Sequence, residues 1–474
     1  MSDLELSPRE REELGRAALD WVLKYFAQQS HLPVYPAISE RDLSAQLRAP
    51  LPIAAESPDD VFEEFASIVD GSRHNGHPRM YGYVQSAASF AGVIGDFLAS
   101  ALNQNVTSWR SAPSATTIEH QVVDWLKTMV GFDPGGSGIL LSGGSFANFS
   151  AIAIALRNSA SVDINRLGVA ALPGKPRIYA SMMTHMSITK AAAMLGVGRD
   201  AIVQIPVDDQ YRMNPASLER QILADKDAGC LPVCVVATAG DVNTGAIDSL
   251  DAIADICAAD RHDLWLHVDG SYGALAARSP YVDGAMGALS RVDSLSLDPH
   301  KWLCAPLDAG CLLVRAQASL REAFAVSADY IDVVADGDMS EFAYWDHSPE
   351  LSRRFRALKL WFLLKSHGSR AVQDAIDRNI EAARHLADLI VRSDDFELLA
   401  PVPLSIVCFR YRHGDDEFNK RVMLEVQRGG DSYLSNTKLG DRFALRACIV
   451  NYRTTPADVE HLLDTVRSIA QSLR

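Results

Sequence analysis

The residues of this chain best equipped for chemistry are a lysine, an aspartate and a glycine-rich turn, each at the end of an apolar run. Lys301 closes Ser296-Leu297-Asp298-Pro299-His300-Lys301, just past an apolar strand, where its amine can condense with an aldehyde. Asp269, in His267-Val268-Asp269-Gly270-Ser271, ends another such run, and a carboxylate there can hold a protonated ring nitrogen. Ser142-Gly143-Gly144-Ser145 falls between a strand and a helix, where backbone N–H groups and the helix dipole favour an anion. An amine, a carboxylate and an anion cradle are what a phosphorylated pyridine aldehyde needs from a protein. Each motif alone has a plainer reading: Pro-His-Lys as a chance tripeptide, Asp269 as a turn cap beside Gly270, Ser145 as a helix N-cap. His185, in Thr184-His185-Met186-Ser187, follows a further strand and starts a helix, so its ring either caps that helix or stacks on a pyridine face.

Composition narrows the class. The net charge of −15 over 474 residues disfavours nucleic acid or an anionic membrane as partner. Seven dispersed cysteines, an odd number without a Cys-x-x-Cys pair, suit reduced thiols in a cytoplasmic protein. The histidines show no metal-ligand spacing, so no metal is expected. The first residues carry acids where a signal peptide carries bases, and no run of apolar residues is long enough to span a membrane. There is no Gly-x-Gly-x-x-Gly and no Walker-type loop, which weakens nucleotide readings.

The elements that must position these residues follow from the hydropathy pattern. Helical spacing from Pro8 to Phe26 and from Val61 to Val69 makes a front segment, 1–86, that cannot form a core alone and so packs on another domain or subunit. From 87 to 370, helical patterns alternate with apolar runs at Gly138–Leu141, Arg177–Ala180, Ala201–Ile205, Val233–Ala237, Leu264–Val268 and Ala309–Val314. Strands apolar on both faces and separated by helices predict a mainly parallel sheet covered on both sides, with ligands at the strands' carboxyl ends. An acidic stretch between Ala318 and Leu351 reads as a lid or connector, and helicity resumes at Ser352 and stops at Gly368. Residues 371–474 read as a small α/β domain with strands at Leu404–Phe409 and Phe443–Arg446 and a last helix from Pro456 to Leu473.

Taken in order, Ser142-Gly143-Gly144-Ser145, Thr184-His185, Ala237-Thr238-Ala239-Gly240, His267-Val268-Asp269, Pro299-His300-Lys301-Trp302 and Arg353-Arg354-Phe355-Arg356 resemble the pyridoxal-phosphate-dependent group II amino acid decarboxylases. His77-Pro78-Arg79-Met80-Tyr81-Gly82-Tyr83 and Leu445-Arg446-Ala447-Cys448 extend the likeness over nearly the whole chain. The resemblance implies the type I fold of pyridoxal enzymes: an N-terminal helical arm, a large domain with a mainly parallel seven-stranded sheet and a small C-terminal α/β domain. It implies a homodimer with active sites at the interface, pyridoxal 5'-phosphate as cofactor, and loss of CO2 from an L-amino acid. Carried over residue by residue, it makes Lys301 the cofactor-binding lysine, Asp269 the pyridinium partner and His185 the stacking base. Gly143, Gly144, Ser145 and His300 would surround the phosphate, with Thr238 on the strand behind the ring. Counting back from Arg353, Tyr344 falls where the family carries a mobile-loop tyrosine that returns a proton to the product carbon.

Departures from the family pattern bear on the site. Asp298 stands where many relatives have asparagine, and a carboxylate there should repel a phosphate dianion unless it faces away. Asp241 replaces a hydroxyl residue, and Val84-Gln85 replaces a Phe-Pro pair of the aromatic-acid enzymes. Tyr83 and Trp109 favour an aromatic substrate such as tyrosine, tryptophan, phenylalanine or dopa, and both also read as core aromatics. Arg110 and Arg446 would instead suit an acidic substrate, glutamate or aspartate. A lyase, transaminase or aldehyde synthase on the same fold would keep Lys301 and Asp269.

Overall fold

The computed structural model describes residues 5–259, 262–282, 284–326 and 342–474. A seven-stranded sheet, in the order β1-β7-β6-β5-β4-β2-β3, organises the larger part. Its strands are β1 (Ser137–Leu141), β2 (Pro176–Ser181), β3 (Ile202–Ile205), β4 (Leu231–Thr238), β5 (Trp265–Asp269), β6 (Ser294–Leu297) and β7 (Gly310–Val314). β2 to β6 pair in parallel, while β7 runs antiparallel to both β6 and β1. Every residue of β6 and β7 is buried, as expected of strands covered by helices on both faces.

The register of the parallel strands places the chemistry. Thr238 pairs with Asp269, and Asp269 with Ser296, so β4, β5 and β6 end side by side. The helix Gly144–Ser159 leaves the end of β1 and packs against the sheet with Ala147, Ala151, Ile154 and Ala155 fully buried. Small residues on that helix let its first turn sit close to the strand ends.

The smaller part holds an antiparallel sheet in the order β10-β11-β9-β8: β8 (Phe396–Leu398), β9 (Ile406–Tyr411), β10 (Ser435–Leu439) and β11 (Arg442–Cys448). Phe396, Phe409, Leu445, Val459 and Leu462 share its core. A helical stretch, Ala357–Arg392, links the two parts, and Gly368 breaks it with a left-handed φ of 75°. The expected stop at Gly368 is therefore a kink between two helices.

At the front, the helices Pro8–Gln28, Glu40–Leu47 and Pro58–Asp70 contain no buried residue. Ser7 opens the first through a capping box with Glu10. Trp21 meets Phe65 edge-on, while Leu19, Leu23, Val61 and Ile68 stay exposed. Apolar faces of this kind are poor solvent surfaces. Further on, Tyr81 crosses onto the smaller part: its N–H donates to Tyr433 O and its carbonyl accepts from Cys448 N.

Two expectations change here. Between Ala318 and Leu351 a helix forms at Ala318–Phe324. Tyr344, expected on a flexible loop, is fully buried. The acidic run Ala335–Glu341 lies outside the described residues. All seven cysteines are free thiols. Among the described residues no helix is long and apolar enough to cross a membrane, and no cluster of side chains could hold a metal ion.

Candidate active site

The ends of β1, β4, β5 and β6 open into one cavity of about 1000 Å³. Lys301, Asp269, His185, Gly143, Gly144, Ser145, Thr238, His300, Tyr83 and Arg446 all line it. Residues up to 363 positions apart in the chain meet there, as Arg446 and Tyr83 do.

Asp269 ends β5 and is almost completely buried. Its Oδ2 accepts from Asn148 Nδ2 at 2.9 Å, and its Oδ1 accepts from Ser296 Oγ at 3.0 Å and Ser271 N at 3.1 Å. Burial pushes this carboxyl toward protonation, but the Lys301 charge and the donors from Ser271 and Asn148 outweigh it and hold the group below its usual range. The result is an ionised, oriented carboxylate.

Lys301 follows β6 on a turn closed by its own N–H to Asp298 O, 2.8 Å. Its Nζ lies 3.0 Å from Asp298 Oδ2. Asp298 is buried, lines the cavity and leaves Oδ1 without a partner. It does not face away from the cavity. His300 is held by its Nδ1, 2.7 Å from Ala309 O, and burial favours its neutral form.

Gly143 caps the helix Gly144–Ser159, and no side chain makes a cap hydrogen bond to its first turn. The glycines are needed for closeness. A Cβ on Gly144 would fall 2.3 Å from Ser271 Oγ and 2.8 Å from Asp298 Oδ2. Thr238 stands at the end of β4 with its N–H donated to Asp248 Oδ2 at 2.8 Å and its buried Oγ1 unpartnered.

His185 caps the helix Met186–Met194, its Nδ1 accepting from Ser187 N at 3.2 Å. The cap and the cavity-lining position coexist in one ring. Burial lowers its pKa, Asp269 opposes this, and Lys301 adds to it, leaving a neutral imidazole favoured.

On the open side, Tyr83 adopts a left-handed φ of 61° and reaches Tyr433 hydroxyl to hydroxyl at 3.3 Å. Arg446 Nη1 donates to Tyr83 O at 3.0 Å, and its buried Nη2 has no partner. Phe146 and Phe149 stack at 5.6 Å on another wall.

Tyr344 and Trp109 do not line the cavity. Tyr344 lies beneath Arg353, whose guanidinium carbon is 3.9 Å from the ring centroid, and its hydroxyl is buried without a partner. Sealed there, the hydroxyl lies outside the cavity that its own chain forms. The N–H of Trp109 donates to Phe342 O at 3.0 Å, so it belongs to the same region. Asp241 accepts from the N–H groups of Asn243, Thr244 and Ala246 and shapes the loop behind the cavity. Asn148 and Ser296 were not singled out from the sequence, because their partners lie 121 and 27 residues away, nor were Ser187 and Ser271, which sit two residues from His185 and Asp269.

Buried polar atoms awaiting partners, a glycine-lined helix start and a lysine opposite a carboxylate fit pyridoxal phosphate. The model of the pyridoxal-dependent decarboxylase conserved domain matches residues 41–412. An aromatic-L-amino-acid decarboxylase of Bacillus atrophaeus is 33% identical, with 99% of this chain and 98% of the relative covered. The chain belongs to the pyridoxal-dependent decarboxylase family. A 4-hydroxyphenylacetaldehyde synthase of Rhodiola rosea is similar at 29% identity, covering 98% of this chain and 97% of that one. The crystal structure of Oryza sativa TDC with PLP and tryptamine superposes with a TM-score of 0.92 at 29% identity, covering 100% of both chains. This member of the family is therefore an amino acid decarboxylase, a carboxy-lyase that uses pyridoxal phosphate.

Proposed function

We propose that this decarboxylase converts an aromatic L-amino acid, such as tryptophan, tyrosine, phenylalanine or dopa, to its amine and CO2. Pyridoxal phosphate supplies an electron sink for the pair left behind when the carboxylate departs. Lys301 would hold the cofactor's aldehyde carbon, Asp269 would keep its ring nitrogen protonated, and His185 would lie against the ring. The N–H groups of Gly143, Gly144 and Ser145, with His300, would take the phosphate, and Thr238 would lie on the strand behind. The observation that carries this reading is the convergence of Lys301, Asp269 and the Gly143–Ser145 turn on one cavity.

For the substrate, Tyr83 with Tyr433, and Phe146 with Phe149, supply aromatic surface in or beside the cavity. The Bacillus relative's name and the tryptamine of the rice structure support the same class. Arg446, whose buried Nη2 lacks an acceptor, would also suit the second reading, an acidic substrate. Every amino acid carries an α-carboxylate that meets this need, so Arg446 does not select between them.

The chain acts as a homodimer in this reading. The apolar faces of the front helices, unburied in the chain, would lie on the partner, and Trp109 would face the partner's cavity. The chain divides into a front arm (1–86), a cofactor domain (87–370) and a small domain (371–474), and works in the cytoplasm, where its free thiols stay reduced. Purified protein supplied with pyridoxal phosphate, the common amino acids and dopa tests the assignment. Aromatic amines with equimolar CO2 are expected. Turnover of glutamate or aspartate alone, or aldehyde with peroxide as the main product, would overturn it.

A further inference from the structure

Behind the cavity a line of hydrogen bonds crosses the sheet, and its donors and acceptors can be assigned without ambiguity. Asp269, as a carboxylate, only accepts, so the Asn148 group 2.9 Å from its Oδ2 must be the amide nitrogen. Asn148 Oδ1 then faces His267 Nε2 at 2.9 Å, and that nitrogen must carry a proton. His267 is fully buried, and burial holds its pKa down at about 4, so its ring is neutral and Nδ1 is left as an acceptor. Ser294 Oγ, 2.9 Å from this unprotonated Nδ1, donates to it and accepts Trp265 Nε1–H at 2.9 Å.

The hydrogen bonds continue forward into the cavity. The second hydrogen of Asn148 Nδ2 goes to Ser187 Oγ at 2.9 Å. Ser187 Oγ therefore turns its own hydrogen to His185 Nδ1, also at 2.9 Å, where the Ser187 backbone N–H already points. Two donors converge on one nitrogen of His185. That nitrogen cannot take a proton unless the Ser187 hydroxyl turns its hydrogen away and the Ser187 N–H gives way, and the Asn148 N–H already occupies one of the two Ser187 lone pairs.

We propose that Asn148, anchored by His267, is a positioning residue that sets Asp269 and His185 together, orienting the carboxylate and holding the imidazole as its neutral Nε2–H form. The inference rests on Asp269 and His185 being the cofactor-facing pair. One amide thus serves both faces of the ring: it feeds a donor to the group meeting the ring nitrogen, and it keeps a second positive charge off the group that stacks. A cationic His185 would compete with the ring for the departing electrons. Nε2–H, turned away from Ser187, is the only proton the ring of His185 presents. His267 acts at one remove and touches neither cofactor nor substrate.

The test is nitrogen NMR of the full chain labelled at histidine, before and after pyridoxal phosphate is added, with signals assigned through His185→Gln and His267→Gln. In the wild type both rings should be neutral and protonated at Nε2 between pH 8 and roughly pH 6. Asn148→Leu, similar in shape and without the amide, should raise the His185 titration midpoint by about one pH unit while leaving the wild-type fold by circular dichroism. An Nδ1–H form of either histidine in the wild type would overturn the proposal even if the variant fails to fold. A folded Asn148→Leu protein with an unshifted His185 midpoint would overturn it as well. Amine production by the wild type, measured on the same preparation, judges the decarboxylase reading separately.

Discussion

Lys301 Nζ and Asp298 Oδ2 are 3.0 Å apart, and the Asp298 carboxylate is buried against the glycine turn. The ion pair ties up the amine that must meet the aldehyde and sets a carboxylate beside the seat proposed for a phosphate. Coulomb repulsion in a partly dehydrated cavity is worth several times its value in water.

Asp298→Asn should therefore tighten pyridoxal phosphate binding by about tenfold, on the order of 1 to 2 kcal/mol, and speed its capture by Lys301. Fluorescence titration of the two proteins measures this. An equal or weaker affinity in the variant would mean that Asp298 helps to hold the cofactor.

Tyr344→Phe removes a hydroxyl that is buried, unpartnered and outside the cavity. The ratio of amine to aldehyde should stay unchanged, with kcat within about twofold of the wild type and stability equal or slightly higher. A shift of product toward aldehyde would show that this tyrosine reaches a reacting carbon in the assembled enzyme.

Acid should weaken the fold through His267. Its ordinary pKa of 6.5 falls to about 4 on folding, so between those values the unfolded chain binds a proton that the native chain refuses. Stability is then complete above about pH 6.5 and is lost progressively as pH falls toward 4, by up to ~3 kcal/mol. Denaturant melts across this range, compared with His267→Gln, check the sign: the variant should have the flatter profile.

Much of this was legible in the sequence, for physical reasons that differ by element. β1, β2, β4, β5 and β7 are apolar on both faces and announce themselves as runs. β10 buries only alternate residues, Ser435, Thr437 and Leu439, two of them polar, so its pattern is faint. The helix Glu40–Leu47 buries nothing in the chain and leaves little apolar signature. Lys301, Asp269 and the glycine turn were readable because each chemistry needs a particular residue type at a strand end. The burial of Tyr344 was hidden because acidic neighbours made its segment look solvated, whereas Phe342, His120 and Arg353 enclose its ring. Asn148 was invisible because its worth lies in partners 119 and 121 residues away.

The most direct test is covalent. Pyridoxal phosphate added to the full chain, reduced with borohydride and followed by peptide mass mapping, should leave one pyridoxyl group on Lys301, and Lys301→Ala should leave none. A label on another lysine, or an equally labelled Lys301→Ala protein, would contradict the account.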